Sequence, residues 1–473
     1  MSNHWFPGGV VATILGGLRT GKKKVASMGE FRKGEKIALE LGGYVTIVSV
    51  LGSGGQGTVY KVALGNKDYA LKWYHLNTIK NPGKFKSNLR TNVEKGSPDK
   101  KFLWPLYLTE DRNGSFGYVM ELRPKEYSDF ADILNAKDKN GNKVVFSDLH
   151  SMINAAINIV NGFMQLHRKG LSYQDLNDGN FFININNGEV LICDNDNVAP
   201  DMESFGIGGK PGYMAPEIVR GDKKPNTLTD YHSLAVILFK LFVRHDPLMG
   251  ASYVNSVCIT EKKELELYGT NPIFIYNPSD ASNRPAGGVH PNPIKLWPRY
   301  PSYVQDAFIR SFCDGIKDPN RRLSEKEWLD ILIKLRDGII ICPCKNPIFV
   351  SKINFDSNNI AICEGCGMKF SRPMILAVKS FGVNLFPKNK LYKCHTVENR
   401  SDSSDYLAET GDVIQNKNNP GLWGIKNNSE DTWMLKMSDG AMKQIPPGSV
   451  IPIAEGAEIT FTNVSGIIKN NKV

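Results

Sequence analysis

The spacing of apolar and polar residues divides the chain into parts of different character. From Tyr44 onward, apolar residues alternate with polar ones in short runs that end at Gly, Pro or Asn, which is typical of β-strands. One segment in this part, 85–94, instead places Phe85, Leu89 and Val93 at helical spacing. The pattern therefore predicts a β-rich first part with one helix, with strands at 44–51, 58–62, 69–73, 102–106 and 117–122.

Helical periodicity dominates the next part of the chain. Residues 152–167 carry apolar positions at intervals of three and four, and an apolar run at 234–243 has helix length. Between them, 181–185 and 190–193 flank an Asn-Gly turn, which predicts a β-hairpin. After residue 371 the pattern is again β, with turns at Asn419-Pro420-Gly421, Ser438-Asp439-Gly440 and Pro446-Pro447-Gly448.

Length and charge limit the interpretation further. A chain of 473 residues is too long for one ordinary domain. The net charge of +10 favours anionic partners such as ATP, nucleic acid or a membrane surface without choosing among them. The run 234–243 is too short to span a bilayer and contains Lys240, and no basic residue precedes the apolar patch at 10–15. We therefore expect a cytoplasmic protein without membrane insertion, with a loosely packed basic, Gly-rich extension at 1–43.

Two features of the β-rich part indicate phosphate chemistry. The segment Gly52-Ser53-Gly54-Gly55-Gln56-Gly57 is followed by β-branched and aromatic residues rather than by a helix. A glycine loop between two antiparallel strands lets backbone amides approach phosphates, whereas a dinucleotide-binding turn requires a helix after the glycines. Lys72 follows fifteen residues after Gly57 in an apolar strand, where it can reach the same phosphates.

The stretch Tyr173-Gln174-Asp175-Leu176-Asn177-Asp178-Gly179-Asn180 lies between the helix at 152–167 and the hairpin. Asp194 follows the hairpin at once. A helix, a polar loop and a hairpin bring Asp175, Asn180 and Asp194 toward one point. Two carboxylates and an amide suit a proton acceptor beside a magnesium site, although such loops are also common turn chemistry.

The order and spacing of these motifs resemble the protein-kinase family. Two further runs strengthen the likeness: Met214-Ala215-Pro216-Glu217 resembles the end of an activation segment, and Asp230 begins a helix like the one that anchors the catalytic loop. Arg322 resembles the late arginine that pairs with Glu217. The resemblance implies an α+β bilobal kinase fold over 44–338, with a β-rich N-lobe at 44–122 and a helical C-lobe at 123–338.

The resemblance also implies roles for individual residues. Asp175 would accept or orient the proton of a protein hydroxyl, Asn180 and Asp194 would hold Mg²⁺, for which Mn²⁺ can substitute, and Lys72 would hold the α- and β-phosphates of ATP. The remaining nucleotide-binding positions come from the glycine loop, the strand after it and the hinge: Gly52, Gly54, Gly55, Gly57, Val59, Met120, Glu121 and Leu122. The expected activity is that of a serine/threonine kinase acting on a protein substrate.

Several positions depart from the family pattern. Tyr173-Gln174 replaces His-Arg, Asn177 stands where Lys is usual, and Asp194-Asn195-Asp196 replaces Asp-Phe-Gly. The helix at 85–94 has Asn88 and Asn92 where a Glu normally pairs with the strand lysine, and its acid, Glu94, comes late. These departures keep a second hypothesis open, a nucleotide-binding pseudokinase or scaffold.

The exact residues of some segments resemble those of a divergent bacterial group of kinases. Phe102-Leu103-Trp104-Pro105, Cys193-Asp194-Asn195-Asp196-Asn197 and Asn283-Arg284-Pro285 carry this likeness. Members of that group are often associated with a metal-dependent serine/threonine phosphatase and a von Willebrand-type (TerY-like) protein. The resemblance implies both as partners.

Four cysteines are concentrated in a short segment after the kinase-like part. Cys342-Pro343-Cys344 is followed, eighteen residues later, by Cys363-Glu364-Gly365-Cys366. Two thiolate pairs at this spacing predict a zinc ribbon at 339–371, with a structural Zn²⁺ because four thiolates leave no open coordination position. Together with the basic charge, the ribbon leaves a minor alternative, nucleic-acid binding.

The last part, 372–473, is predicted to be a small all-β, sandwich-like domain. The run Trp423-Gly424-Ile425-Lys426-Asn427-Asn428-Ser429 and the later Pro447-Gly448 resemble the second half of a forkhead-associated β-sandwich, without its phosphothreonine-reading Arg and Ser. A docking module and a structural cap on the kinase both fit this pattern.

Overall fold

A computed structural model describes residues 31–203, 209–254, 260–398, 405–419 and 421–471. The first lobe is one antiparallel sheet of six strands in the order β1-β2-β3-β4-β6-β5, with a single helix beside it. Its elements are β1 Lys36–Ala38, β2 Tyr44–Ser53, β3 Gly57–Leu64, β4 Lys67–Tyr74, α1 Pro82–Lys95, β5 Tyr107–Leu108 and β6 Gly117–Glu121.

The strands predicted at 44–51, 58–62, 69–73 and 117–122 are confirmed, but the strand predicted at 102–106 is wrong. Phe102 makes only an isolated bridge with Ile192, and regular pairing begins at Tyr107. Pro105 has no backbone N–H to donate, and the Trp104 indole N–H is directed to the carbonyl of Asn92, 2.8 Å away. Apolar content here reflects burial rather than sheet pairing.

The extension expected at 1–43 is built into the first lobe from Phe31 onward. Phe31 is buried, and β1 pairs with the start of β2, with Lys36 opposite Thr46. The expectation of loose packing is therefore wrong for 31–43, because this segment adds an edge strand to the sheet. Residues 1–30 lie outside the described part of the chain.

The second lobe is helical and is organised around α3 and α5. The α5 segment is apolar on almost every side, and its residues from Leu234 to Val243 are buried apart from Lys240, so α5 lies at the centre of the lobe. The elements are β7 Ser128–Asp129, α2 Phe130–Asn135, α3 Leu149–Arg168, β8 Leu171–Ser172, β9 Phe181–Ile183, β10 Val190–Ile192, β11 Ala199–Pro200, α4 Pro216–Val219, α5 Thr227–Val243, α6 Ala251–Val254, α7 Glu261–Leu265, α8 Pro291–Leu296, α9 Ser302–Ile309, α10 Gly315–Lys317 and α11 Glu325–Asp337.

Beyond α11 the described chain is almost entirely β. Two short hairpins come first, followed by a six-stranded sheet in the order β17-β16-β25-β24-β21-β22 and a four-stranded sheet in the order β18-β19-β20-β23. The elements are β12 Ile339–Ile341, β13 Pro347–Phe349, β14 Ile360–Ile362, β15 Lys369–Ser371, β16 Ile375–Val378, β17 Phe381–Asn384, β18 Lys390–Tyr392, α12 Lys393–Thr396, β19 Glu409–Gln415, β20 Trp423–Asn427, β21 Trp433–Lys436, β22 Met442–Ile445, β23 Val450–Pro452, β24 Glu458–Thr460 and β25 Ser465–Lys469.

These sheets pack against the end of α11. The side-chain amide of Asn384 donates to the carbonyl of Asp337 (3.1 Å), and that of Asn389 donates to the carbonyl of Ile339 (2.7 Å). His395 Nε2 lies 3.0 Å from Asp337 Oδ2, with both side chains buried. Because one apolar core runs from the helical lobe into these sheets, the β-rich region forms a cap on the lobe.

Among the described residues, no helix is both long enough and apolar enough to cross a bilayer.

Candidate active site

The glycines of the loop that joins β2 and β3 differ in how much space lies beside their backbone. A Cβ added at Gly52, Gly54 or Gly55 would meet no atom within 4 Å, so these positions leave open space beside the backbone. A Cβ at Gly57 would lie 2.3 Å from the carbonyl oxygen of Trp73, on the neighbouring strand. Gly57 is therefore required by the packing of β3 on β4, whereas the other three leave the backbone accessible.

Apolar side chains from both lobes meet beside this loop. Val59 lies opposite Lys72 in the β3–β4 ladder, and Met120 lies opposite Ala70 in the ladder of β4 and β6. Val59, Met120 and Leu122 share one apolar cluster with Leu191 of the second lobe. Glu121 points elsewhere, because its carboxylate pairs with Lys67 at 3.0 Å. The arrangement could hold a flat aromatic ring between the lobes.

The loop that carries Asp175 is anchored from below by α5. Asp230 accepts a hydrogen bond from the backbone N–H of Tyr173 at 2.7 Å and a longer hydrogen bond, at 3.4 Å, from the backbone N–H of Gln174. His167 of α3 lies between Asp230 and Glu325. Burial lowers the pKa of His167, but hydrogen bonds and charge from these two carboxylates outweigh it and raise that pKa to about 9. A protonated His167 thus ties α3, α5 and α11 beneath the loop.

Asp175 is held by amide groups of its own loop. The side-chain amide of Asn177 donates to Asp175 Oδ1 at 3.1 Å, and that of Asn180 donates to the Asp175 carbonyl at 2.7 Å. Burial raises the pKa of Asp175 to about 6, helped by the negative charge of Asp194 and opposed by the Asn177 hydrogen bond and by Lys210. This carboxyl group can exchange a proton near neutral pH, as a catalytic base must.

Lys72 reaches across the cleft to two acids that follow the hairpin of β9 and β10. Its Nζ lies 3.2 Å from Asp194 Oδ1 and 2.7 Å from Asp196 Oδ2. Although burial by itself lowers the pKa of Lys72, the two carboxylates raise it above its ordinary value, so the side chain is cationic. The structure thus brings Lys72 and Asp194 into direct contact.

Asp196 is the site residue that sequence reasoning missed. Its side chain is fully buried, and the hydroxyl of Tyr74 donates to the same oxygen as Lys72, at 2.6 Å. Asn195, between the two acids, donates its amide to the carbonyls of Leu103 and Ile192, each at 2.9 Å. The altered Asp-Asn-Asp is therefore a structured unit. The sequence did contain a signal for Asp196: the buried face of α1 carries no acid, and an extra Asp follows Asp194.

Residues 209–217, here called the activation-like segment, contact the loop that carries Asp175. Lys210 Nζ lies 2.9 Å from Asp178 Oδ1, and Gln174, in the place of the usual Arg, donates its amide to the carbonyl of Glu203 at 2.7 Å. The predicted pair of Arg322 and Glu217 is confirmed: both guanidinium nitrogens donate to the carboxylate at 2.8 Å, in a buried setting.

The four cysteines of the segment after α11 come together at the turns of the two hairpins. Their sulfur atoms all lie within 4.8 Å of one another. Cys342 and Cys366 Sγ are 3.6 Å apart, and Cys344 and Cys363 Sγ are 3.8 Å apart. A tetrahedral zinc with Zn–S bonds of about 2.3 Å requires S–S separations of about 3.8 Å. The cluster could therefore hold a metal ion. Another adjacent pair of metal-ligating residue types, Cys394 and His395, is buried in the core and is not part of this cluster.

Comparisons with known proteins agree with this geometry. The protein kinase domain family matches residues 45–331, more than half of the chain. A protein kinase C delta type homolog from Drosophila melanogaster is 27% identical over 210 residues, covering 43% of this chain and 30% of that protein. Mitogen-activated protein kinase kinase kinase 17 of Arabidopsis thaliana is 28% identical over 180 residues, covering 37% of this chain and 45% of that protein.

The chain spans less than half the length of these two relatives. Among solved structures, the PknI kinase domain of Mycobacterium tuberculosis aligns with a TM-score of 0.41 at 16% identity, covering 64% of this chain and 98% of that one. The two-lobed fold and the family match over residues 45–331 together establish that the chain belongs to the protein kinase family.

Proposed function

We propose that this chain transfers the γ-phosphate of ATP to serine and threonine hydroxyls of a protein substrate. The observation that carries the proposal is the convergence of Lys72, Asp194 and Asp175 on one cleft, with Lys72 3.2 Å from Asp194 and the pKa of Asp175 raised to about 6. Phosphoryl transfer needs mainly positioning and charge neutralisation, and these residues provide both.

The nucleotide would lie between the lobes. Val59 and Met120 with Leu122 offer an apolar environment for the adenine, and the backbone at Gly52, Gly54 and Gly55 can approach the phosphates without a Cβ in the way. Lys72 would bind the α- and β-phosphates. Its cationic side chain suits that role because an ammonium group makes strong, charge-assisted hydrogen bonds to phosphate oxygens.

Asp194 and Asn180 fit the ligand set of Mg²⁺, which prefers oxygen donors. Asp194 is 43% exposed, so its carboxylate can turn toward the cleft. The Asn180 amide nitrogen donates to Asp175 O and to Tyr173 Oη, which leaves the amide oxygen for a metal. Bound Mg²⁺, or Mn²⁺ in its place, supplies charge neutralisation on the phosphate oxygens.

In the transfer, the substrate hydroxyl oxygen forms a bond to the γ-phosphorus as the bond from that phosphorus to the β–γ bridging oxygen breaks, and ADP leaves. Asp175 takes the hydroxyl proton. Asn177 and Asn180 hold Asp175 in place from within the loop, and Asp230 holds the loop's backbone.

The test measures transfer of labelled γ-phosphate to the chain itself and to a generic protein substrate. Wild type should label both, and Asp175→Ala should lose about 10²–10⁴-fold, the usual contribution of general base catalysis. Equal, background labelling by wild type and variant would overturn the proposal. If ATP nevertheless raises the melting temperature, the alternative of a nucleotide-binding pseudokinase or scaffold is selected.

Three further assignments rest on the sequence. We propose that Cys342, Cys344, Cys363 and Cys366 form a zinc ribbon with structural Zn²⁺, supported by their sulfur separations. We propose a cytoplasmic location. We also propose a metal-dependent serine/threonine phosphatase and a von Willebrand-type protein as partners, on the resemblance of the kinase part to its bacterial group; co-purification with the tagged full chain tests both.

A further inference from the structure

The ion pair of Lys72 joins strand β4 of the first lobe to an acid of the second lobe. Lys72 is 7% exposed, and its shorter contact, 2.7 Å, is to Asp196, whose side chain is 0% exposed. Asp194 is farther away, at 3.2 Å, and 43% exposed. The side chains of the two acids therefore differ in their freedom to move. The Asp194 carboxylate can turn from Lys72 toward a metal ion, whereas the Asp196 carboxylate is enclosed.

The position of Asp196 is fixed by contacts that do not involve α1. The Tyr74 hydroxyl donates to Asp196 Oδ2 at 2.6 Å, and Tyr74 belongs to the same strand as Lys72. The preceding Asn195 is fully buried and pins its loop to the carbonyls of Leu103 and Ile192. The hydrogen bonds that hold Asp196 against the lysine therefore come from strand β4 and from the Asp-Asn-Asp loop.

Helix α1 is joined to this loop by uncharged contacts. The side-chain amides of Asn88 and Asn92 both donate to the carbonyl of Val198, at 2.8 and 2.9 Å, two residues beyond Asp196. Both asparagines are buried, while Glu94 is exposed. The helix thus packs on the loop through its amides, and its acid is turned away.

We propose that Asp196 is the positioning residue for Lys72, in the place that a helix-borne glutamate takes in related kinases. The inference rests on the proposed function and deepens it. It assigns Asp196 to hold the lysine on the α- and β-phosphates while Asp194 serves the metal. The charged partner of the lysine thus belongs to the Asp-Asn-Asp loop and not to α1.

The test compares Asp196→Asn with Glu94→Gln in the full chain, with steady-state kinetics for ATP and for a protein substrate. Asp196→Asn keeps the shape of the side chain but removes the charge that positions Lys72, so kcat/KM for ATP should fall about 100-fold, the effect of a misplacement of about 1 Å. KM for the protein substrate should stay constant. Glu94→Gln should match wild type in every parameter.

A merely structural role for Asp196 would lower the active fraction and leave KM for ATP unchanged. An unchanged KM for ATP in Asp196→Asn, or an equal loss in Glu94→Gln, would overturn the inference while wild-type activity upholds the proposed function. An inactive wild type would overturn the proposed function itself.

Should Asp196→Asn fail to fold, Tyr74→Phe replaces it, since it removes only the hydroxyl that orients Asp196. That variant should raise KM for ATP several-fold with an unchanged KM for the protein substrate, and an unchanged KM for ATP would overturn the inference.

Discussion

At the scale of single residues, the site combines groups whose charges depend on burial. Asp175 is partly buried and Asp196 fully buried in the same cleft, and the two acids have different neighbours. Asp196 has a lysine at 2.7 Å, whereas Asp175 has amides and a second acid nearby. A carboxyl group that is buried beside another acid gains a proton more readily. Asp175 is therefore suited to exchanging a proton, whereas Asp196 is placed to pair with Lys72.

The pH dependence of transfer should report Asp175. Burial raises its pKa from the ordinary 3.8 to about 6, and only the deprotonated carboxylate can take the hydroxyl proton. Activity should therefore be nearly full at pH 7 and above, half-maximal near pH 6, and fall about tenfold per pH unit well below it. A profile of kcat/KM for the protein substrate between pH 5 and 8 checks this. An inflection near pH 4 would contradict the assignment of Asp175 as the base.

Sequence reasoning reached the site residues that belong to local motifs and missed the contact between distant ones. Lys72, Asp175, Asn180 and Asp194 were predicted because their spacing is set by strands and loops close to them in the chain. The partnership of Lys72 with Asp196 joins residues 124 positions apart. It depends on how the two lobes close on each other, which no local periodicity encodes.

At the scale of elements, the helical lobe is held by ion pairs that join distant segments. Glu217 at the start of α4 and Arg322 after α10 form a two-pronged, buried pair, and Arg322 also donates to the carbonyl of Leu228 at 2.8 Å. These contacts fix the end of the activation-like segment against α5. The same scale explains the wrong strand at 102–106: burial makes a segment apolar whether or not it pairs in a sheet.

Breaking the buried pair should destabilise the chain far more than breaking an exposed one. Arg322→Met leaves the Glu217 carboxylate buried without its cation, so we expect a loss of about 3–5 kcal/mol in the free energy of unfolding. Arg310 and Glu327 form a matched control, since they also lie 2.8 Å apart but both are more than 40% exposed. Arg310→Met should cost no more than about 1 kcal/mol.

Urea unfolding followed by fluorescence measures both variants. Similar losses for Arg322→Met and Arg310→Met would contradict the claim that the buried pair anchors the activation-like segment.

At the scale of the whole molecule, the parts of the chain beyond α11 are fastened to the helical lobe. Arg336 at the end of α11 is buried, lies 3.5 Å from the centre of the Tyr392 ring and donates to the carbonyl of Tyr406 at 2.8 Å. The first hairpin is attached separately, through Phe349 against Tyr300 and Lys352 against the Tyr300 carbonyl. Of the two interpretations of the β-rich region, the packing favours a structural cap.

Metal removal should loosen this attachment. The two hairpins have only three residues per strand and share a small apolar core, and the cysteine cluster joins their turns. We expect one zinc per chain by elemental analysis, its loss in Cys344→Ser, and a lower melting temperature after treatment with a chelator. Cys313→Ser, a cysteine of the helical lobe, is the control and should keep the metal. Full zinc content in Cys344→Ser would contradict the proposed ligand set.

The central claim is that this kinase chain phosphorylates protein hydroxyls with Asp175 as the base. Mass spectrometry of phosphorylation sites, after incubation of the chain and a protein substrate with ATP and Mg²⁺, tests it most directly. Wild type should yield phosphoserine and phosphothreonine, and Asp175→Ala should yield almost none. No phosphorylated residue with wild type, or the same sites at the same occupancy with both proteins, would contradict it.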